Sequence, residues 1–278
     1  MGPSAFARLL RPGQLGRAAY VAYCVAVLIF LFAPILVIVP LSFNAEPYFT
    51  FTEGMLRLDP EAYSLRWYRE IVENEVWRRS LVNSLIIGVS ATVLATALGT
   101  LAALGLASPA MPARRFVTGL LISPMITPVI ISATGMFFFY SRIGLGQTYL
   151  GLILAHATLG IPFVVITVTA ALAGYDRNLN RAAASLGASP FAVVRRVQLP
   201  LIAPGVISGA LFAFATSFDE VVVVLFMAGV EQRTIPRQMW AGIREQISPA
   251  ILAVATFLVV FAVLLLAVVA WLRKRGGG

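Results

Sequence analysis

Residues 181–200 read Arg-Ala-Ala-Ala-Ser-Leu-Gly-Ala-Ser-Pro-Phe-Ala-Val-Val-Arg-Arg-Val-Gln-Leu-Pro. The stretch predicts a short helix, a break at Gly187, a second helix from about Pro190 and a stop at Pro200. Pro190 suits the first turn of a helix, and Ser189 is placed to cap it. Phe191, Val194 and Val197 recur at helical spacing and predict one apolar face. Such a helix-break-helix either docks into a groove on a partner or lies along a membrane surface. The flanks choose the setting. Residues 143–175 and 197–218 carry no charged side chain at all.

Four more charge-free runs occur at 18–45, 80–113, 116–141 and 246–272. Each exceeds the roughly 20 residues that a helix needs to cross a bilayer core. Apolar residues make up 59% of the chain and charged residues 12%, about half the usual share. That composition excludes a soluble globular domain, a disordered chain and a disulfide scaffold. It predicts an all-α membrane protein with six transmembrane helices, at about 20–41, 81–106, 115–140, 147–173, 203–228 and 249–272. The polar inside loop is then 174–202. The lone Cys24 lies in an apolar run and has no second thiol to pair with.

The net charge is +9. In a soluble protein that would suggest nucleic acid, but here the basic residues sit in short loops, so no nucleic-acid partner is expected. Placing both termini in the cytoplasm gathers Arg8, Arg11, Arg17, Arg114, Arg115, Arg177, Arg181, Arg195, Arg196, Arg273, Lys274 and Arg275 inside, against Asp176 alone. This is the positive-inside arrangement. Residues 1–19 are then a basic cytoplasmic N-terminus and 273–278 a cytoplasmic tail. The apolar segment 20–41 is longer than the 7–15 residues or so of a cleavable signal, so it is read as a retained span. The outside segment 42–80 carries Trp67, Tyr68 and Trp77, which predict an interfacial aromatic belt.

Within the spans, small residues recur every fourth position at Ala91, Ala95, Gly99 and Ala103, and again at Gly205, Gly209, Ala213 and Ser217. These are smooth faces for close helix approach. Pro124 and Pro128 predict bending in the third span. His156, the single histidine, is read either as a strut between helices or as a functional group. Asp219 and Glu220 stand in the fifth span, where each carboxylate costs about 2.5–3.5 kcal/mol near the midplane. They are expected to meet water, a partner or a cation. Adjacent helical positions diverge by about 100°, which favours Asp219 over Glu220 as the group in the pathway. Phe214 and Phe218 lie beside them.

The loop also resembles a known signature. Ala182-Ala183, Gly187 three residues on, nine more residues, then Val197-Gln198-Leu199-Pro200 is similar to the coupling loop of ABC importer permeases, which reads Glu-Ala-Ala, Gly, Ile-x-Leu-Pro at the same spacing. Arg181 stands where that family has Glu, which inverts one charge at the ATPase contact. The stretches His156–Val168 and Phe218–Val223, and Ile247-Ser248-Pro249, resemble the second-subunit spermidine/putrescine permeases.

The resemblance implies a type I ABC importer in a bacterial inner membrane. Two permeases, here expected to be different homologous chains, pair with two cytoplasmic ATPases. A periplasmic binding protein delivers the solute, expected to be a polyamine. It assigns Arg181, Ala182, Ala183, Gly187, Ala188, Phe191, Leu199 and Pro200 to ATPase docking, and ATP and Mg to the partner ATPase. This chain has no Gly-x-x-x-x-Gly-Lys-Ser/Thr loop, and its one lysine is Lys274, so it is not expected to be an enzyme or to hold a cofactor or metal. Alternatives are another solute (an amino-acid derivative, an aminophosphonate, an opine or iron) and a secondary carrier. The carrier would leave the inside loop unexplained.

Overall fold

The computed structural model describes residues 12–245 and 248–276. The basic positions Arg8 and Arg11, Ile247 of the Ile-Ser-Pro stretch, and the last two glycines lie outside the described residues. Those described form helices, with one isolated bridge between Asn44 and Tyr63. They fall into two compact units, divided after Ile71, with the final helix belonging to the first unit as far as Leu264.

The first unit opens with α1 (Pro12–Leu41), which keeps its helix through Pro34 and Pro40. Within Gly16–Leu41 only 6% of its most apolar stretch is buried, so nearly every face is open to lipid or to another chain. A loop follows, with α2 (Glu53–Leu56) and α3 (Arg66–Glu73). Asn44 organises it. The side-chain amide donates to Tyr48 O and Thr50 O, both at 3.1 Å, and Asn44 Oδ1 accepts from Glu46 N at 3.0 Å. The Trp67 indole donates to Asn44 O at 2.7 Å, and Tyr68 Oη lies 2.6 Å from Ser42 Oγ. The expected aromatic belt is therefore corrected. Trp67 and Trp77 are 4% and 6% exposed; for Trp67 the reason is that an indole with a partner for its N–H is better buried than left at an interface.

The second unit is built on α4 (Glu75–Leu106) and α7 (Tyr149–Ala173), with α10 (Leu199–Asp219) against both. Asn74 caps α4 through Oδ1 to Val76 N. Ala91, Ala95, Gly99 and Ala103 are all buried on one face of it. The three helices converge where Gly160 of α7 meets Ala95 and Ala213, since a Cβ on Gly160 would lie 3.2 and 3.0 Å from theirs. Apolar burial supplies little drive between helices surrounded by lipid. Small side chains that let backbones approach supply it through van der Waals contact instead.

The single span expected at 115–140 is two helices, α5 (Arg114–Ile126) and α6 (Val129–Arg142), bent by 102°. Pro124 lies inside α5 and does not break it. Pro128 does, because the residue before a proline is forced out of the α region; Thr127 accordingly sits at ψ 133°. The span expected at 203–228 is also divided. α10 ends at Asp219 and α11 (Val222–Met227) follows after Glu220 and Val221. Val223, Val224 and Met227 of α11 are buried with Ile87, Ala133 and Leu152, seating it against α6 and α7.

The docking loop contains α8 (Asn178–Ser185) and α9 (Pro190–Val193). An amphipathic α12 (Ile235–Glu245) returns along α4, and α13 (Ala250–Gly276) closes the chain. Among the described residues, four helices are long and apolar enough to cross a membrane: Gly16–Leu41, Glu75–Leu106, Tyr149–Ala173 and Pro190–Asp219. The bent pair makes a fifth if it counts as one span, and Ala250–Leu264 is apolar but shorter.

Candidate functional site

The loop after α7 is held by its own polar residues. Asp176 Oδ1 accepts from Asn178 N at 2.9 Å and starts α8. The Tyr175 hydroxyl donates to Asn180 Oδ1 at 2.6 Å. Desolvation, and after it the Asp176 carboxylate, raise the Tyr175 phenol above its ordinary value, which keeps the proton that this bond needs. Arg177 reaches back to the end of α4 and donates to Ala107 O at 2.6 Å. α8 stops at Gly187, whose φ of +83° is the left-handed conformation that glycine adopts without a Cβ penalty. Ser189 Oγ then accepts from Ala192 N at 3.3 Å, with Pro190 in the first turn of α9.

One expectation for this loop is corrected. The helix does not stop at Pro200. Residues Val194–Gln198 form a π-helical turn in which Leu199 N–H bonds to Val194 O, and the helix runs on from Pro190 to Asp219. A proline lacks an N–H and crowds the carbonyl one α-turn back. The wider turn lets Pro200 begin the next α-helical segment, where neither defect interrupts the ladder. Val194 and Val197 are half-buried and Phe191 is exposed, so the predicted apolar face is not packed inside the chain. Val193 is buried at 8% exposure while Phe191 is 73% exposed.

Of the other docking residues, Arg181, Ala182, Gly187 and Pro200 are exposed, and Ala183, Ala188 and Leu199 are half-buried. Arg181 has no ion-pair partner among the described residues. Leu186, which the sequence reading passed over, is 89% exposed beside Gly187. Its signal was an apolar residue immediately before a left-handed glycine.

At the far end of α10 the acidic pair is separated by the helix break. Glu220 is extended (ψ 119°), and its Oε1 accepts from Val223 N at 2.9 Å, so it caps α11. Asp219 ends α10 and is exposed. Phe214 and Phe218, in the last turns of the same helix, stack with ring centroids 5.3 Å apart and planes 23° from parallel. Gly88 of α4 leaves room for these rings; a Cβ there would stand 3.3 Å from Phe214 Cε2. The break gives Glu220 a backbone partner and leaves Asp219 at the end of α10.

His156 is buried, and its Nδ1 lies 2.8 Å from Ser217 Oγ, which ties α7 to α10 just below this site. A further network was missed. Asn83 donates to Glu231 O at 2.7 Å and Arg233 O at 2.9 Å, and the Tyr149 hydroxyl donates to Asn83 Oδ1 at 2.8 Å. It locks the segment after α11 onto α4 and α7. The signal was an amide in an otherwise apolar run.

Comparison with known proteins places this geometry. Residues 12–276 match the family model described as binding-protein-dependent transport system inner membrane component. The spermidine/putrescine transport system permease protein PotC of Haemophilus influenzae is 31% identical over 244 residues, covering 88% of this chain and 92% of that protein. The Escherichia coli K12 PotC is 29% identical, covering 91% and 92%. The putrescine transport system permease protein PotI of the same strain is 30% identical, covering 87% and 85%. Among solved structures, a chain of a bacterial ABC transporter that imports the acidic polysaccharide alginate superposes with a TM-score of 0.72 at 14% identity, covering 94% of this chain and 98% of that one. At that identity the likeness is one of fold.

Proposed function

The chain belongs to the family of binding-protein-dependent transport system inner membrane components and is a permease subunit of an ABC importer, and from that membership we propose that its solute is a polyamine, spermidine or putrescine. The observation that carries the proposal is identity of 29–31% along nearly the whole length of permeases named for those solutes. The fold neighbour named for alginate has half that identity and speaks only for the fold.

In this reading the chain crosses a bacterial inner membrane six times with both termini in the cytoplasm, α13 supplying the sixth crossing and the bent pair one of the others. It pairs with a second, homologous permease. A periplasmic binding protein delivers the solute, and two cytoplasmic ATPases, which hold ATP and Mg, drive the cycle. The segment 174–202 seats an ATPase. Leu186 and Phe191 are the apolar knobs that would enter its groove, and Arg181 faces a neutral or acidic group there.

The path runs past the end of α10. A polyamine is a row of ammonium groups joined by methylenes. The Asp219 carboxylate is suited to pair an ammonium, and the Phe214–Phe218 stack is suited to contact the methylenes or offer a ring face to a cation. Glu220 already accepts a backbone N–H, which leaves Asp219 as the freer acid.

The test is uptake of labelled putrescine and spermidine by the complete importer in proteoliposomes. Both solutes should be taken up, and Asp219→Asn should slow uptake at unchanged affinity of the binding protein. Wild-type uptake by that variant removes Asp219 from the path. Failure to import either polyamine, with another solute imported, removes the substrate assignment.

A further inference from the structure

We propose that a cleft between α4, α5 and α7 binds the phosphate of an anionic phospholipid headgroup. It lies at the end of the unit where α7 runs into the docking loop, and it does not depend on which solute is carried. Its volume is about 450 Å³, and it is lined by Leu106, Arg114, Arg115, Thr118 and Thr169. No carboxylate lines it. Neither guanidinium has a hydrogen-bond or ion-pair partner among the described residues. The ion pairs of this unit, Glu75 with Arg78 and Arg79 and Arg79 with Glu231, lie at the opposite end of α4.

The hydroxyls divide the work. Thr118 Oγ1 donates its proton to Arg114 O at 2.8 Å. Thr169 Oγ1 is buried in the wall with no partner, so it has a proton to give. Two guanidinium forks and one free hydroxyl make a donor set for phosphate oxygens, and arginine matches that geometry better than a point charge would.

The surroundings identify the source of the phosphate. On the same turns of α5, Phe116 and Leu120 are 73% and 62% exposed. In a chain of a membrane-embedded family such residues meet acyl chains. Cationic cleft and apolar shoulder thus lie side by side, as headgroup and tail do in a phospholipid. Basic pockets between membrane helices recognise anionic lipid on this principle.

The experiment uses the purified, delipidated importer complex. Phosphatidylglycerol or phosphatidylcholine is titrated in, and bound lipid is counted by native mass spectrometry. Phosphatidylglycerol should bind and phosphatidylcholine should not. Arg114→Gln or Arg115→Gln should each weaken binding about fivefold, from the usual worth of one basic side chain at an anionic lipid surface. Arg142→Gln, at the far end of α6, should leave it unchanged. Equal binding of phosphatidylcholine, wild-type affinity in both cleft variants, or an equal loss in Arg142→Gln would each overturn the site. Displacement of the lipid by inorganic phosphate would overturn the lipid assignment in favour of a soluble anion.

Discussion

Gly209→Ala adds a single methyl group where α10 crosses α7. A Cβ there would stand 2.5 Å from Thr167 Oγ1 and 2.8 Å from Val164 Cα. Carbon atoms settle at about 3.5–4.0 Å, so the methyl group intrudes by about 1 Å. Val164 Cα is backbone and cannot rotate aside. The Thr167 hydroxyl could turn, but it donates to Phe163 O at 2.9 Å and would lose that bond. The helices must therefore part, at an overpacking cost of about 1–3 kcal/mol. Replacing a helical glycine returns about 0.5–1 kcal/mol, leaving a net loss of about 0–2.5 kcal/mol, with the middle of the range above about 1 kcal/mol.

The loss should show as a lower midpoint when the purified permease is unfolded in detergent. Gly205→Ala should behave alike, since its Cβ would lie 2.6 Å from Ala171 Cβ. Gly135→Ala is the control. Nothing lies within 4 Å of its Cβ, so only the helix-forming gain remains and the midpoint should rise. If Gly209→Ala is stabilised as much as Gly135→Ala, α7 and α10 do not pack at glycine distance and the reasoning fails.

Phe191→Ala should weaken ATPase association by about 2 kcal/mol, the loss typical of an aromatic anchor, as read by retention of the ATPase on immobilised permease; unchanged retention would place the docking contact elsewhere. Asn83→Ala leaves the Arg233 carbonyl without its side-chain donor and the Glu231 carbonyl with the Tyr149 hydroxyl alone, an expected cost of about 1–3 kcal/mol. Hydrogen exchange should accelerate over 229–235 and not along α10.

Much of the helical plan could be read from charge alone, because a run without charges has no reason to leave the bilayer. The small-residue face of α4 was equally legible, since four-residue spacing is what a packed helix imposes. The bend at Thr127–Pro128 announced itself through proline, though its angle comes from packing that no local pattern records. The break after Asp219 was hidden. The sequence there, Phe-Asp-Glu-Val-Val-Val, holds neither glycine nor proline, and the chain turns because the Glu220 side chain substitutes for a helical hydrogen bond. Pro200 misled in the opposite sense. Its meaning depended on the hydrogen-bond register upstream, which shifts to the π pattern and absorbs it. Trp67 and Trp77 carry the composition of an interfacial belt, but a carbonyl placed to receive the Trp67 indole is a tertiary fact. At the acidic pair, residue type pointed to the region, while the capping geometry decided which carboxylate was already engaged.

The unbroken helix from Pro190 to Asp219 has a mechanical consequence. Its 30 residues make a shaft about 45 Å long, bounded by the left-handed joint at Gly187 and the extended joint at Glu220. A stiff shaft transmits torque without taking up slack. A twist applied beside Phe191 arrives at Asp219 as a twist, and the compliance of the linkage is concentrated beyond it.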